Sequence, residues 1–84
     1  MDRQRFKDLL EGQHSWPCQY TFKFIVPRDD LPAVLGLLPG VTPLLRSSAK
    51  NNYVSVTFKA HMATSDEVID VYDRASLIKS IISL

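Results

Sequence analysis

The run Cys18-Gln19-Tyr20-Thr21-Phe22-Lys23-Phe24-Ile25-Val26 alternates with a period of two, and it limits the fold more tightly than any other stretch of the chain. Cys18, Tyr20, Phe22, Phe24 and Val26 point one way and Gln19, Thr21, Lys23 and Ile25 the other, the pattern of a strand with one buried face. Pro27 ends it, because proline has no N–H to give a ladder. A second alternating run follows the turn signal Lys50-Asn51-Asn52, where asparagine tolerates positive φ at little cost. There Val54, Val56, Phe58, Ala60 and Met62 face the core, leaving Tyr53, Ser55, Thr57, Lys59 and His61 on the other side. A sheet that is apolar on one side needs helices to cover that side.

Three segments offer them. Phe6, Leu9 and Leu10 recur at i, i+3, i+4 between charged residues, which predicts a short amphipathic helix ended by Gly12 and resting on a sheet edge. Leu31, Val34, Leu35 and Leu38 form a stripe after Asp29, Asp30 and a first-turn Pro32; Gly36 weakens that helix and Pro39-Gly40 stops it. Thr64-Ser65-Asp66-Glu67 is a capping box, and Val68, Val71, Tyr72 and Ala75 follow as a buried stripe with Asp70 and Arg74 paired on the wet side. Val41 to Ser48 reads as an edge strand, since Pro43 argues against a central one. Leu77 to Leu84 reads as a last strand, with Ile78, Ser80, Ile82 and Leu84 on one side and Lys79, Ile81 and Ser83 on the other. The order β-α-β-β-α-β predicts an α+β, ferredoxin-like two-layer sandwich: a four-stranded antiparallel sheet, two helices on one face, and a short N-terminal helix.

At 84 residues the chain buries about 60–65% of its unfolded surface, enough for one core, so residues 1–84 are expected to form one domain with 1–15 as a helical extension. Ten basic residues against nine acidic leave a formal charge of +1, and no global field gathers a polyanion. No apolar run approaches the roughly 18 residues a bilayer requires, and Met1-Asp2-Arg3-Gln4-Arg5-Phe6 lacks an apolar signal region, so the expectation is a cytoplasmic protein without membrane partners. Cys18 is the one cysteine, which excludes an internal disulfide, a cysteine-rich zinc site and a CxxC pair.

Pro17-Cys18-x-Tyr20-x-Phe22-Lys23, the segment from Ser47-Ser48 to Tyr53-x-Ser55-Val56, and Thr64-x-x-x-Val68-x-x-Val71-Tyr72 before an isoleucine-rich last strand together resemble the DUF493 (UPF0250, YbeD-like) family. The resemblance implies a ferredoxin-like fold reminiscent of ACT regulatory domains, no established enzymatic activity, and a link in some members to the regulation of lipoate metabolism. Two departures accompany it. The turn after the first strand reads Ile25-Val26-Pro27-Arg28, without the family's glycine, which places a small-ligand site there in doubt. The first covering helix and the segment after it are also shorter than the family's.

The surface this register exposes is the open sheet face, with candidate residues Lys23, Ile25, Tyr53, Ser55, Thr57, Lys59, Lys79 and Ile81, beside Thr21. One reading is that lysines keep a wet face soluble and discourage edge pairing. The other is that a mixed apolar and cationic patch docks an acidic protein surface or a second copy, aliphatic stems lying over Ile25 and Ile81 with the ammonium groups in water. RNA-recognition domains share this topology, but they stack bases on two or three exposed aromatics, and this face offers Tyr53 alone and no RNP string. Acylphosphatases share it too. Arg28 stands near the corresponding turn, yet no glycine-rich anion loop accompanies it. Ser47 and Ser48 have no histidine at a motif spacing, and His14 and His61 have no clear acidic partner. Cys18 is expected to be buried, His61 to face solvent or bond in a turn, and Trp16 to anchor the core edge or to mark an interface.

The expectation is therefore a non-catalytic regulatory or protein-interaction domain with no catalytic residues, cofactor or metal. Its partner would be another protein or a second copy; the alternative is an ACT-like small-ligand sensor, and weak nucleic-acid binding ranks below both.

Overall fold

The computed structural model describes residues 2–48, 50 and 52–84; the expected turn residue Asn51 lies outside them, as do Met1 and Ala49. Helix α1 (Arg3–Gln13) precedes β1 (Cys18–Pro27), a 3₁₀ turn over Arg28–Asp30, α2 (Leu31–Leu35), β2 (Leu44–Ser47), β3 (Tyr53–Met62), α3 (Ser65–Ala75) and β4 (Ile82–Ser83). The strands form one antiparallel sheet in the order β2-β3-β1-β4. This is the ferredoxin-like arrangement expected from the sequence.

β1 and β3 pair along their full ten residues, from Cys18 opposite Met62 to Pro27 opposite Tyr53. That register puts Phe22 against Phe58 and Phe24 against Val56, all four without accessible surface. Val26, Val34, Val68 and Ile69 complete the innermost layer. The aromatic rings interlock: Phe24 lies 6.3 Å from Phe22, 6.4 Å from Phe58 and 5.9 Å from Tyr72 between ring centres. Cys18, expected inside, is only half-buried, because its pair with Met62 is the last of the ladder.

α3 begins as its capping box dictates. Thr64 Oγ1 accepts from the Glu67 amide at 3.3 Å, and Glu67 reaches back to the Ala63 amide at 3.2 Å, one residue earlier than the usual target. α1 runs one residue past Gly12 and ends where the His14 amide bonds the Leu10 carbonyl. It packs on α3 rather than on a sheet edge, because that is where its polar side chains find partners. Ser65 Oγ, buried in α3, donates to Glu11 at 2.7 Å; Lys7 bonds both carboxylate oxygens of Asp66 at 3.0 Å; Arg3 pairs with Asp73. Phe6 sets its ring edge-on to Tyr72, 5.4 Å between centres.

The last strand is far shorter than expected. After α3 the chain makes successive turns, Leu77 to Arg74, Ile78 to Ala75 and Ile81 to Ile78, and only Ile82 and Ser83 join β1. Ser80 Oγ contacts Asp30 and pins this crossing to the 3₁₀ turn. The alternation assumed from Leu77 onward is therefore broken. Ile78 and Ile81 both pack against the core, whereas Ile82 lies opposite Ile25 on the open side.

Candidate functional site

The face of the sheet away from the helices is built by parity. Once Phe22, Phe24 and Val26 turn inward, Thr21, Lys23 and Ile25 must turn outward, and the β3 pairing sets Lys59, Thr57 and Ser55 directly opposite them. Tyr53, 47% exposed, lies at the end of the same row, opposite Pro27. Six of the eight residues expected on this surface are brought together in this way. Lys79 and Ile81 are not. Lys79 is exposed in the crossing between α3 and β4, off the sheet, and Ile81 is drawn to the core; the turns after Ala75 use up the residues that a longer strand would have needed.

Three residues take their place. β2 pairs with β3 so that Leu44 stands opposite Thr57 and Arg46 opposite Ser55, which puts both on the open face. Ile82, half exposed, joins from the other side beside Ile25. The sequence carried a signal for β2 but not its phase. Leu44-Leu45 reads equally well in either register, and only the pairing with β3 decides which leucine faces solvent.

The face thus holds Lys23, Arg46 and Lys59 among Ile25, Leu44, Tyr53 and Ile82. Its charge is one-sided, for neither the four strands nor any position from 31 to 65 carries Asp or Glu. The carboxylates sit in the helices, in the 3₁₀ turn and, for Asp2, at the N-cap of α1, and the ion pairs found among the described residues lie in the helix layer, including Arg74 with Asp70 at 3.1 Å. Two shallow hollows flank Arg46. One, of about 180 Å³, is lined by Ile25, Arg46, Ser47, Ser48, Tyr53 and Ser55; the other, of about 160 Å³, by Lys23, Leu44, Arg46, Ser55 and Thr57. At the hairpin end Arg28 donates to Ser47 Oγ at 3.2 Å, and the Tyr53 amide donates to Ser48 Oγ at 3.2 Å, so both serines are engaged in holding the turn.

The remaining residues singled out from sequence lie elsewhere. His14 lies tilted against Trp16 and edge-on to Tyr20, at 5.6 and 5.4 Å between ring centres, and His61 is exposed beyond Lys59 on the open side. Trp16 packs against the core edge. Tyr72 is inside the helix–sheet contact, where burial above all, and then its 3.5 Å contact with the Tyr20 hydroxyl, pushes its phenol well above the ordinary tyrosine range. Among the described residues no group of three or more His, Cys, Asp or Glu is placed to hold a metal ion, and no helix is long and apolar enough to cross a membrane. Compared with protein-family models, with curated proteins and with solved structures, the chain finds no match.

Proposed function

We propose that this chain is a non-catalytic, cytoplasmic interaction domain with a regulatory role, whose open sheet face docks an acidic protein surface. The observation that carries this reading is the composition of the face: three cations, four exposed or half-exposed apolar side chains and no carboxylate, on a protein whose net charge is only +1. A sheet face kept merely soluble has no need of a single sign of charge. An acidic partner gains from it twice, by attraction during encounter and by covering Ile25, Ile82 and Leu44 on contact. The resemblance to the DUF493 family, with its regulatory association, points the same way.

The test is a nuclease-treated pull-down from native lysate, comparing the wild type with a Lys23→Glu, Arg46→Glu, Lys59→Glu variant shown to be folded by circular dichroism. The reading expects a partner with an acidic surface that is captured by the wild type, is lost by the variant, and is released as salt rises past the range where charges attract over about 8–10 Å. Equal capture by both proteins would overturn it.

A further inference from the structure

All four residues of β2 are exposed, although β2 is a member of the sheet, and its two leucines point to opposite faces with Leu44 72% and Leu45 46% accessible. Leu45 lies opposite the fully buried Val56, on the helix side, yet it is covered only in part, because α2 is only five residues long and α1 packs on α3.

The backbone of β2 is equally open. Ser48 N–H bonds the Tyr53 carbonyl at 2.9 Å, and in an antiparallel ladder alternate residues share this inward orientation, so Leu44 and Arg46 bond β3. Leu45 and Ser47 then direct their N–H and C=O groups away from the sheet, on the side where, among the described residues, no further strand follows β2. Natural edges are blunted by shortness, by charged side chains, by proline, by a bulge or by an inward charge. β2 is short, carries Arg46 on its open side and follows Pro43, but its helix side has no charge and its ladder with β3 runs without a bulge.

We infer that β2 is a strand-addition site, and that its occupant is an extended acidic segment of the partner protein, with carboxylates on the open side and apolar side chains on the helix side. This rests on the open-face reading and names the segment that reading lacks. An added strand bonds Leu45 and Ser47, lays an apolar side chain beside Leu45, and brings carboxylates alongside Arg46, within reach of the hollow shared by Lys23 and Arg46. Charge selects this occupant over a second copy. Antiparallel self-pairing centred on Leu45 would set the two Arg46 side chains on a diagonal roughly 7–8 Å apart and join two cationic faces. An acidic strand does the reverse.

The experiment uses the full chain, ¹⁵N-labelled, with three probes: a capped seven-residue peptide alternating glutamate and valine, the same peptide with lysine for glutamate, and the glutamate peptide with alternate backbone nitrogens methylated. The glutamate peptide should shift the amides of residues 44–47 saturably and, at about ten times its Kd, slow exchange of the Leu45 and Ser47 amides about tenfold. The lysine and N-methylated peptides should do neither. Leu45→Lys, which leaves the inward ladder intact, should abolish the effect; Ser47→Pro, which removes one outward N–H, should weaken it. Shifts confined to Lys23 and Lys59, without protection at Leu45 and Ser47, would overturn strand addition while leaving the open-face reading standing. No binding of the acidic peptide anywhere would count against both. Protection of the same amides by self-association on sedimentation, by the lysine peptide, or by a uridine oligonucleotide in place of the acidic peptide would each overturn the assigned occupant.

Discussion

Replacing Phe24 by leucine is the most direct perturbation of the sheet parity on which the site depends. Phe24 has no accessible surface and meets three aromatic rings, those of Phe22, Phe58 and Tyr72. Alanine there would cost about 3–5 kcal/mol, against a total of about 4–13 kcal/mol for a domain of this length, and would leave many molecules unfolded. Leucine keeps most of the apolar volume and removes mainly the ring contacts, each of which contributes about 0.5–1.5 kcal/mol beyond area. With some recovery through repacking, the expected loss is about 2–3 kcal/mol, or about 11–17 °C in Tm at the entropy of unfolding usual for 84 residues. Lys23→Ala, one residue earlier and on the opposite face, should change stability by less than about 0.5 kcal/mol. Urea and thermal unfolding followed by far-UV circular dichroism measure both. A loss below about 0.5 kcal/mol for Phe24→Leu, or equal losses for the two variants, would refute the assignment of faces, and the proposed site with it.

Other consequences are open to measurement. Thr64→Ala removes the side-chain acceptor for the Glu67 amide and should cost about 1 kcal/mol, a drop of about 5–6 °C in Tm. Ser65→Ala breaks the buried link to Glu11, and hydrogen exchange should show the α1 amides opening more readily while those of β1 and β3 are unchanged. Tyr72 is held above its ordinary value of 10.0, chiefly by burial, so its neutral form is favoured by folding. The contribution is complete below pH 10 and is lost as pH rises above it; Tm measured from pH 8 upward should fall more steeply past pH 10 in the wild type than in Tyr72→Phe.

What was legible in the sequence followed from how strongly each segment commits itself. β1 and β3 alternate over ten residues with aromatic and β-branched side chains, and no competing period fits them, so their faces could be assigned before the pairing was known. The start of α3 was equally plain, because Thr64 and Glu67 fix it with two hydrogen bonds. The segment after Ala75 was misread because Leu77, Ile78, Ile81 and Ile82 suit a strand by composition, while the turns that consume Leu77 to Ile81 are set by tertiary contacts to Asp30 and to the core. That cost the site two of its expected members, Lys79 and Ile81. Arg46, Leu44 and Ile82 were missed for the complementary reason: short strands take their phase from their neighbours, and neither β2 nor β4 is long enough to declare it alone. α1 found α3 through Ser65, Lys7 and Arg3, pairings across more than fifty residues that no local pattern announces.

The sorting of charge between the two layers acts at distances longer than any contact. The strands carry Lys23, Arg46 and Lys59 alone, while α1 and α3 together carry four cations and six carboxylates, so a molecule close to neutral overall has a cationic side and an anionic side. Such a body is an electric dipole. In the field of an acidic surface it feels little net pull but a definite torque, and it arrives sheet first. Fewer of its collisions are wasted in wrong orientations, a gain in association rate that net charge alone would not foretell. The same polarity should hold the protein on both cation- and anion-exchange resins at low ionic strength near its pI of about 7.9, each matrix turning a different side toward itself.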